Sequence, residues 1–270
     1  MTLLRSAPQR LWKLLDRLGL DGYVRRGYFT LRAAPRGWRY RTRVGDASAE
    51  LATSTWFEYK RAKRLHGERA VLEALLSDIA DDEVFWDVGA NVGVYSCLVA
   101  DVLRSGTVVG FEPEPENRAR LRTNLAANAP DSQWVVSSVA LSDRDGTGRL
   151  APGFPEEYRQ VGAGHYYLSE TEGRPVDCRR AETLIEDGIP APDVLKIDVQ
   201  GAELDVLRGF GEALGAVDRV YAELHTEKAR RYDATVEETE RFLREAGYSL
   251  THLGEPSGYR GGVYHVRAAR

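Results

Sequence analysis

The chain has few cysteines and lacks any long apolar run. Cys97 and Cys178 are the two cysteines among 270 residues, far apart and without CxxC spacing. Neither a disulfide nor a metal site is therefore predicted. No apolar stretch approaches the roughly 18 residues of a membrane span, and the N-terminus lacks the apolar core and cleavage site of a secretory signal. We expect a cytoplasmic protein without a transmembrane helix.

Lysine is scarce as well, and the charge is unevenly distributed. The chain holds 32 arginines against five lysines, and its net charge is −4. Residues 1–43 contain eleven basic and two acidic residues, a net charge of +9, so residues 44–270 carry −13. Nucleic-acid enzymes usually carry positive charge around the cleft. The acidic body of the chain therefore disfavours a nucleic-acid partner.

Several nucleotide-related motifs are also absent. There is no Gly-Lys-Ser/Thr phosphate loop, which removes support for ATP hydrolysis, and no Gly-x-Gly-x-x-Gly dinucleotide fingerprint. The Asn/Asp-Pro-Pro-aromatic motif of DNA amino-methyltransferases and the Pro-Cys nucleophile of cytosine-C5 enzymes are missing too. These absences disfavour enzymes that act on DNA bases.

The segment VFWDVGANVGVY, residues 84–95, is the strongest feature that is present. An apolar strand ends at Asp87 and turns through Gly89, Asn91 and Gly93 into a helix. Glycines at such a turn allow backbone amides to approach a ligand. A purely structural interpretation, with Asp87 as a helix cap and Gly89 as a turn residue, stays open.

Glu112 follows about twenty residues after this turn, at the end of the next predicted strand. An acid in that place can accept hydrogen bonds from both hydroxyls of a ribose. The acid before the glycines favours a cofactor with a positively charged end. S-adenosylmethionine carries an ammonium and a sulfonium group, so the two acids fit it better than they fit NAD.

Alternating strand and helix patterns predict an α/β fold with a mostly parallel sheet and an antiparallel C-terminal hairpin. The predicted strands are Val84–Val88, Thr107–Phe111, Trp134–Ala140, Asp193–Val199 and Arg219–Leu224, followed by a hairpin of Tyr248–Leu253 and Gly262–Arg267. The predicted helices are Glu68–Ile79, Val94–Leu103, Pro115–Asn128, Ala202–Leu214 and one that begins with the capping box of Thr235 and Glu238.

Residues 1–66 are predicted to form an N-terminal extension, and residues 67–270 the main domain. Residues 9–20 have the pattern of a basic amphipathic helix, which packs on the main domain or, alternatively, contacts an anionic membrane. Short strands are predicted at Tyr28–Ala33, Trp38–Val44 and Ala49–Thr53, forming a β-rich cap.

Five ordered motifs resemble the FkbM family of S-adenosylmethionine-dependent methyltransferases. They are the segment at 84–95, GFEPEPENRARLRTNL at 110–125, VALSD at 139–143, DVLKIDVQGAELDVLRG at 193–209 and VYAELH at 220–225. The resemblance implies a Rossmann-like class I methyltransferase fold and, in most cases, O-methylation of hydroxyls on polyketides or sugars. One departure is Gln200, which stands where the family usually has an acid.

The resemblance also implies which residues bind the cofactor. Asp87, Gly89, Asn91 and Gly93 would line its methionine end, Glu112 its ribose, Ala140 and Leu141 its adenine, and Asp198 would face the sulfonium.

Methyl transfer to an unactivated hydroxyl requires removal of its proton, and His225 is the candidate base. The ordinary pKa of histidine, near 6.5, suits proton acceptance at neutral pH. A structural histidine at a strand end is the alternative. Carboxyl ends of parallel strands meet at one crevice, so Asp198, Glu203 and Glu223 are expected nearby. Lys196 reaches the same face, where it orients the acceptor or pairs with a carboxylate.

A long excursion at residues 146–188 is predicted to contain a hairpin, a glycine-rich loop and a short helix. Such excursions are often functional. His165, Tyr166 and Tyr167 in its loop are candidates to bind the acceptor together with Glu223. Local surface packing of these three residues, or a merely decorative insertion, is the alternative.

The leading hypothesis is therefore an O-methyltransferase that acts on a hydroxyl of a small molecule or glycan, with a lipid-linked sugar as a coherent acceptor if the N-terminal helix contacts a membrane. One alternative, suggested by Gln200, is a non-catalytic S-adenosylmethionine-binding regulatory or scaffold protein. A second is an NAD-dependent oxidoreductase. No motif encodes the acceptor or the oligomeric state.

Overall fold

The computed structural model describes residues 34–130, 133–155, 159–254 and 262–270, together with residues 27, 30 and 31. The α-helices are α1 (Trp56–Arg64), α2 (Arg69–Asp78), α3 (Val94–Val102), α4 (Pro115–Asn128), α5 (Ala181–Glu186), α6 (Glu203–Arg208), α7 (Thr226–Ala229) and α8 (Val236–Glu245). The strands are β1 (Arg39–Val44), β2 (Ala47–Ala52), β3 (Val84–Val88), β4 (Thr107–Phe111), β5 (Trp134–Ser137), β6 (Ala140–Leu141), β7 (Gly146–Pro152), β8 (Tyr166–Ser169), β9 (Arg174–Arg179), β10 (Val194–Ile197), β11 (Arg219–His225), β12 (Ser249–Leu253) and β13 (Val263–Ala269).

Seven strands form the central sheet, in the order β12-β13-β11-β10-β3-β4-β5. The strands from β11 to β5 in that order pair in parallel, whereas β13 pairs antiparallel with both β11 and β12. The inner strands are short apolar runs, and all four residues of β10 are buried. Such runs are typical of parallel strands with both faces covered. The predicted α/β architecture with an antiparallel C-terminal hairpin is confirmed.

Helices bury the two faces of this sheet in two apolar clusters. Leu75, Leu98 and Leu121, from α2, α3 and α4, belong to the cluster on one face. On the other face the Trp86 ring packs against Phe111 and Phe210, with ring centroids 4.8 and 5.5 Å apart. In α/β sheets, ligands bind at the carboxyl ends of the parallel strands.

The excursion at residues 146–188 contains strands β7, β8 and β9 and helix α5, and its strands join β6 in a second sheet of order β6-β9-β7-β8. Its hairpin, loop and short helix agree with the prediction. The predicted continuous strand Trp134–Ala140 is wrong. β5, the edge strand of the central sheet, ends at Ser137, and the separate strand β6 pairs with Cys178–Arg179 of β9 in the second sheet. Ala140 and Leu141 therefore connect the two sheets.

Two further secondary-structure predictions are wrong. The predicted helix Ala202–Leu214 is broken into α6 and a 3₁₀ helix, because Gly211, where the 3₁₀ helix begins, has a φ of +53°. The predicted strand Tyr28–Ala33 also fails, because Thr30 and Leu31, which are described, are helical. The helix predicted at residues 9–20 lies outside the described residues.

The β1–β2 hairpin packs on α3 and α4 of the main domain. Val44 and Leu51 of the hairpin share an apolar cluster with Leu98 and Leu121. A buried polar contact adds to it: Asn124 Oδ1 accepts from the Ala52 amide at 2.9 Å, and Asn124 Nδ2 donates to the Val92 carbonyl at 2.7 Å. The predicted boundary at residue 66 therefore divides segments that share one core in the described part of the chain.

Within the described ranges, no helix combines the length and apolar character needed to cross a membrane.

Replacement of Asn124 by alanine tests how the hairpin is held. Because the Ala52 amide and the Val92 carbonyl then lose their buried partner, we expect Asn124→Ala to lower the free energy of unfolding by about 2–4 kcal/mol. Thermal and urea denaturation measure the effect. The control Thr123→Ala, at the exposed neighbouring position of α4, should change stability by less than about 0.5 kcal/mol. Equal stability of the two variants would contradict this role.

Candidate functional site

A cleft opens at the carboxyl ends of β3, β4 and β10. Its lining combines backbone from the turn after β3, a carboxylate after β4 and apolar side chains from the second sheet. The lining residues are Val88, Gly89, Asn91, Phe111, Glu112, Pro113, Asn117, Val139, Ala140, Leu141, Leu150, Gly164, Tyr166, Tyr167, Leu168, Asp198, Val199, Gln200 and Ala202.

The turn after β3 has the glycine-dependent backbone conformation that the sequence pattern predicts. The amides of Gly89 and Ala90 both donate to the Phe111 carbonyl at 3.0 Å. Gly89 has a φ of +77°, and a Cβ there would lie 1.9 Å from the Asp198 carbonyl oxygen. Only glycine permits this contact between the ends of β3 and β10. Asn91, with a φ of +52°, then directs its amide toward Glu112.

Glu112 presents a buried carboxylate to the cleft. Its oxygens accept from the backbone amides of Asn91 and Glu114, each at 2.8 Å. Burial raises the pKa of Glu112 to about 7, although these two hydrogen bonds oppose the shift. Since each carboxylate oxygen can accept more than one hydrogen bond, Glu112 keeps acceptor capacity for a ligand hydroxyl.

Apolar residues form the wall beside Glu112. Ala140 and Leu141 of β6 and Tyr166 and Tyr167 of β8, all from the second sheet, line this part of the cleft. The placement suits a flat ring between apolar surfaces. Tyr167 is also covered by the Arg231 guanidinium, 4.3 Å from its ring centroid.

The loop before β8 closes over the turn after β3. The Ala163 carbonyl accepts from the side-chain amides of Asn91 and Asn117 at 3.2 and 3.0 Å, and the Gly162 amide donates to Asn117 Oδ1 at 2.8 Å. These contacts tie the excursion to the cleft. Asn117 is a site residue that sequence analysis missed, because its position in α4 gave no signal beyond membership of a motif.

A second, smaller cavity lies behind the same turn. Gly89, Asn91 and Asp198 line both cavities, so the two adjoin. Arg61, Leu65, Glu68, Leu72, Ala90, Val94, Tyr95 and Lys196 complete the lining of the second.

Arg61 and Glu68 give this second cavity both signs of charge. Arg61 Nε is buried without a hydrogen-bond partner among the described residues. Burial and the neighbouring Glu223 carboxylate raise the pKa of Glu68 to about 7. Sequence analysis missed both residues, because α1 and the start of α2 carry no ligand-binding motif.

Asp87 and Gly93 do not line either cavity. Asp87 is fully buried, forms an ion pair with Lys196 at 3.0 Å and accepts a hydrogen bond from the Ser96 hydroxyl at 2.6 Å. A Cβ at Gly93 would lie 2.5 Å from Leu121 Cδ1, so this glycine allows α4 to pack closely. Both residues shape the turn from behind, and their predicted contact with the cofactor stays a prediction.

The structure brings Asp198, Glu203, Glu223 and His225 together, as the topology predicted. His225 Nδ1 lies 2.9 Å from Glu203 Oε1, and His225 Nε2 lies 3.2 Å from Glu223 Oε1 and 3.9 Å from Asp198 Oδ1. His225 is only 1% exposed. Three carboxylates thus surround one imidazole next to the cleft.

These carboxylates control the protonation of His225. Burial alone lowers the pKa of His225, but hydrogen bonds to Glu203 and Glu223 and the charges of Glu203 and Asp198 outweigh it and raise the pKa to about 10. Without a bound cation, this environment favours the protonated imidazole, the state opposite to that of a general base. The role of His225 as base stays a prediction, and this environment does not favour it.

Gln200, the departure from the family motif, connects three polar side chains. Its Nε2 donates to Asp198 Oδ1 at 2.7 Å, its Oε1 lies 3.1 Å from His165 Nδ1, and it also accepts from Lys228 Nζ. Gln200 has a φ of +61°. His165 thus contacts the polar cluster through Gln200, whereas Tyr166 and Tyr167 line the cleft directly. Whether these three residues bind an acceptor stays a prediction.

The sequence profile of the methyltransferase FkbM domain matches residues 87–250, more than half of the chain. The chain belongs to the FkbM methyltransferase family. It is therefore an S-adenosylmethionine-dependent methyltransferase, and the predicted family, enzyme class and cofactor are confirmed.

Named relatives of this FkbM-family chain include hexuronic acid methyltransferase AglP of Haloferax volcanii, 32% identical over 184 residues that cover 67% of this chain and 72% of that protein. The 31-O-demethyl-FK506 methyltransferase FkbM of Streptomyces tacrolimicus is 29% identical over 72% of this chain and 82% of its own length. The 2-O-methyltransferase NoeI of Sinorhizobium fredii is 30% identical over 53% and 63%.

A crystal structure of methyltransferase FkbM from Methylobacillus flagellatus KT shares the fold. The TM-score is 0.53 at 15% identity, over 75% of this chain and 47% of that chain. The predicted class I methyltransferase architecture is thereby confirmed for the FkbM-family domain described above.

Because the pKa of Glu112 is raised, ligand binding by this FkbM-family enzyme should depend on pH near neutrality. Above pH 7 the carboxylate is ionised and accepts from ribose hydroxyls, whereas protonation below pH 7 removes acceptor capacity. We expect the affinity for 5′-methylthioadenosine, which has a ribose but no amino-acid group, to fall about tenfold per pH unit below 7. Calorimetry between pH 5.5 and 8.5 measures this dependence.

Glu112→Gln should weaken binding at pH 8 by at least about tenfold and flatten the pH dependence. Glu116→Gln, an exposed change in the first turn of α4, is the matched control and should keep the dependence of the unmodified chain. An unchanged pH profile in Glu112→Gln would show that another group is responsible.

Proposed function

We propose that this methyltransferase transfers a methyl group to a hydroxyl of a sugar, either free or within a glycan. The observation that carries the proposal is the polar wall beside the cleft. Asp198 and Gln200 line the side where an acceptor would approach; His225 and Glu223 lie next to Asp198, and Lys228 contacts Gln200. Carboxylates, an amide and an ammonium group suit a hydroxyl-rich acceptor and repel a polyanionic nucleic acid.

The relatives support the same acceptor class. The names of AglP and NoeI describe a hexuronic acid methyltransferase and a 2-O-methyltransferase. The basic amphipathic pattern at residues 9–20 supports a lipid-linked acceptor held near an anionic membrane.

The residues of the two adjoining cavities fit S-adenosylmethionine. In the large cleft, Glu112 would accept from the ribose hydroxyls while Ala140 and Leu141 contact the adenine. In the small cavity, Arg61 Nε, which lacks a hydrogen-bond partner in the described part of the chain, would donate to the methionine carboxylate, and Glu68 would accept from the ammonium group. Asp198 lies where the cavities meet.

When bound, the cofactor supplies an electrophilic methyl group. The chain's own contribution is to hold an acceptor hydroxyl next to Asp198 and to exclude water. Alignment of two reactants in a site contributes up to roughly 7–11 kcal/mol to lowering a barrier. The contacts of the loop at residues 160–165 with Asn91 and Asn117 cover the cleft and support this exclusion.

The division of the cofactor between two cavities is testable with variants of Arg61 and Glu68. We expect Arg61→Gln and Glu68→Gln each to weaken binding of S-adenosylhomocysteine by about 10–100-fold, because each removes a charge-assisted hydrogen bond. Binding of 5′-methylthioadenosine, which lacks the amino-acid group, should stay unchanged. The control Arg64→Gln, at an exposed position of the same helix, should affect neither ligand. Equal weakening of both ligands would place the amino-acid group elsewhere.

The transfer reaction itself is tested with methyl-labelled S-adenosylmethionine and a panel of acceptors: monosaccharides, nucleotide-linked and lipid-linked glycans, and RNA. We expect label on a sugar and not on RNA. The label should survive mild alkali, since an ether is stable where a methyl ester of a uronate is hydrolysed. Label on RNA would overturn the assignment of a free sugar or glycan as acceptor, and an alkali-labile product would overturn the hydroxyl assignment. Cofactor binding without transfer to any acceptor would favour a regulatory role.

A further inference from the structure

Three side chains that can bind a metal converge at the carboxyl ends of β10 and β11. One ligand atom from each of Asp198, Glu223 and His225 lies within 4.8 Å of the others. Glu223 and His225 are two apart in β11, so their side chains project on the same face. Asp198 follows β10, the neighbouring parallel strand.

The orientation of His225 is fixed from behind. Glu203, 2% exposed, contacts His225 Nδ1 at 2.9 Å and is itself held by the Gly201 amide at 2.9 Å. His225 Nε2 is thereby directed toward Asp198 and Glu223. A carboxylate on the far nitrogen is the usual companion of a metal-binding histidine, because it orients the ring and raises its basicity as a ligand.

Both candidate carboxylate ligands are also held by neighbours. Glu223 Oε2 lies 3.1 Å from His265 Nε2, which leaves Oε1 facing His225. Asp198 Oδ1 accepts from Gln200 Nε2 at 2.7 Å. Hydrogen bonds to ligating carboxylates are a regular part of metal sites. Gln200 thus has a positioning role that does not require an acid at its place.

We propose that Asp198, Glu223 and His225 bind one divalent transition-metal cation. The sequence analysis predicted no metal site, on the basis of cysteine spacing alone, and this proposal departs from that prediction. Two carboxylate oxygens and one imidazole nitrogen suit Mn²⁺ or Zn²⁺ better than Mg²⁺ or Ca²⁺, which prefer oxygen ligands throughout. Three protein ligands leave coordination positions for water or for another molecule.

The location of the site indicates what those open positions are for. Asp198 belongs to the cluster and also lines the cleft, so the cation borders the space assigned to the acceptor. This part rests on the proposed function: a sugar would bind through its hydroxyl and an adjacent oxygen, either a second hydroxyl or a carboxylate. A bound cation lowers the pKa of a coordinated hydroxyl, which assists loss of its proton.

Electron paramagnetic resonance of Mn²⁺ tests the site directly, because the free aqueous ion gives a signal that is lost on binding. The full chain is treated with EDTA, desalted and titrated with MnCl₂. We expect one Mn²⁺ per chain, displaced by Zn²⁺ and not by Ca²⁺. Glu223→Gln and His225→Ala should each weaken binding at least tenfold, and Glu203→Gln by about 10–100-fold.

The matched control is His252→Ala. His252 Nε2 also lies close to a carboxylate, 2.8 Å from Glu240 Oε1, but His252 is half-exposed and lies on β12, which β13 separates from β11. Its variant should bind Mn²⁺ as the unmodified chain does. Circular dichroism and thermal unfolding establish that each variant is folded, and a variant that is unfolded is replaced by Asp198→Asn.

A persistent free Mn²⁺ signal with the unmodified chain in excess overturns the proposal. Equal binding by the unmodified chain, Glu223→Gln and His225→Ala overturns it as well. Calorimetry with S-adenosylhomocysteine in EDTA keeps the two proposals apart. Cofactor binding without Mn²⁺ binding removes the metal site and leaves the proposed function, whereas stoichiometric Mn²⁺ binding with no methyl transfer to sugars supports the site and removes the function.

Discussion

The buried ion pair between Lys196 and Asp87 is the interaction on which the rest of the site depends. It joins β10 to β3 with Nζ and Oδ1 3.0 Å apart, and Lys196 Nζ also donates to the Gly89 carbonyl at 3.0 Å. Burial alone lowers the pKa of Lys196, but the charges of Asp87 and Asp198 outweigh it and the pKa is raised. Removing one partner of such a pair typically costs about 3–5 kcal/mol, because the other charge stays buried. The pair therefore positions the glycine turn.

The crevice has different chemistry on the two sides of the Lys196–Asp87 ion pair. Toward β4 and β6 the crevice is apolar, with one carboxylate, Glu112, held by backbone amides. Toward β11 the crevice is bordered by ionisable groups, where Glu203 and Glu223 hold His225 between them through ion pairs. Topology explains the division, because β4 and β11 lie on opposite sides of the β3–β10 pair. A nucleoside fits the first side, and a polar acceptor or a cation fits the second.

The sequence alone predicted those parts of the molecule that depend on local patterns. Strands β3 and β4 and helix α4 have the predicted limits, since each combines an uninterrupted apolar or helical pattern with a clear turn or cap. The convergence of Asp198, Glu223 and His225 was also predictable, because parallel strands end at one edge. Motif resemblance correctly led to the family and the cofactor. Ala140, by contrast, was placed in the wrong strand, since its pairing with β9 depends on a residue 38 positions away.

Sequence by itself thus determined the fold class, the turn and the candidate ribose acid, because spacing and residue type suffice for each. Only the tertiary structure decided three other points. It showed that Asp87 pairs with Lys196 behind the cavity, that Arg61 and Glu68 of the N-terminal helices line a second cavity, and that carboxylates enclose His225. Each depends on the distance between side chains remote in sequence and on their exclusion from water, and a local pattern contains neither quantity.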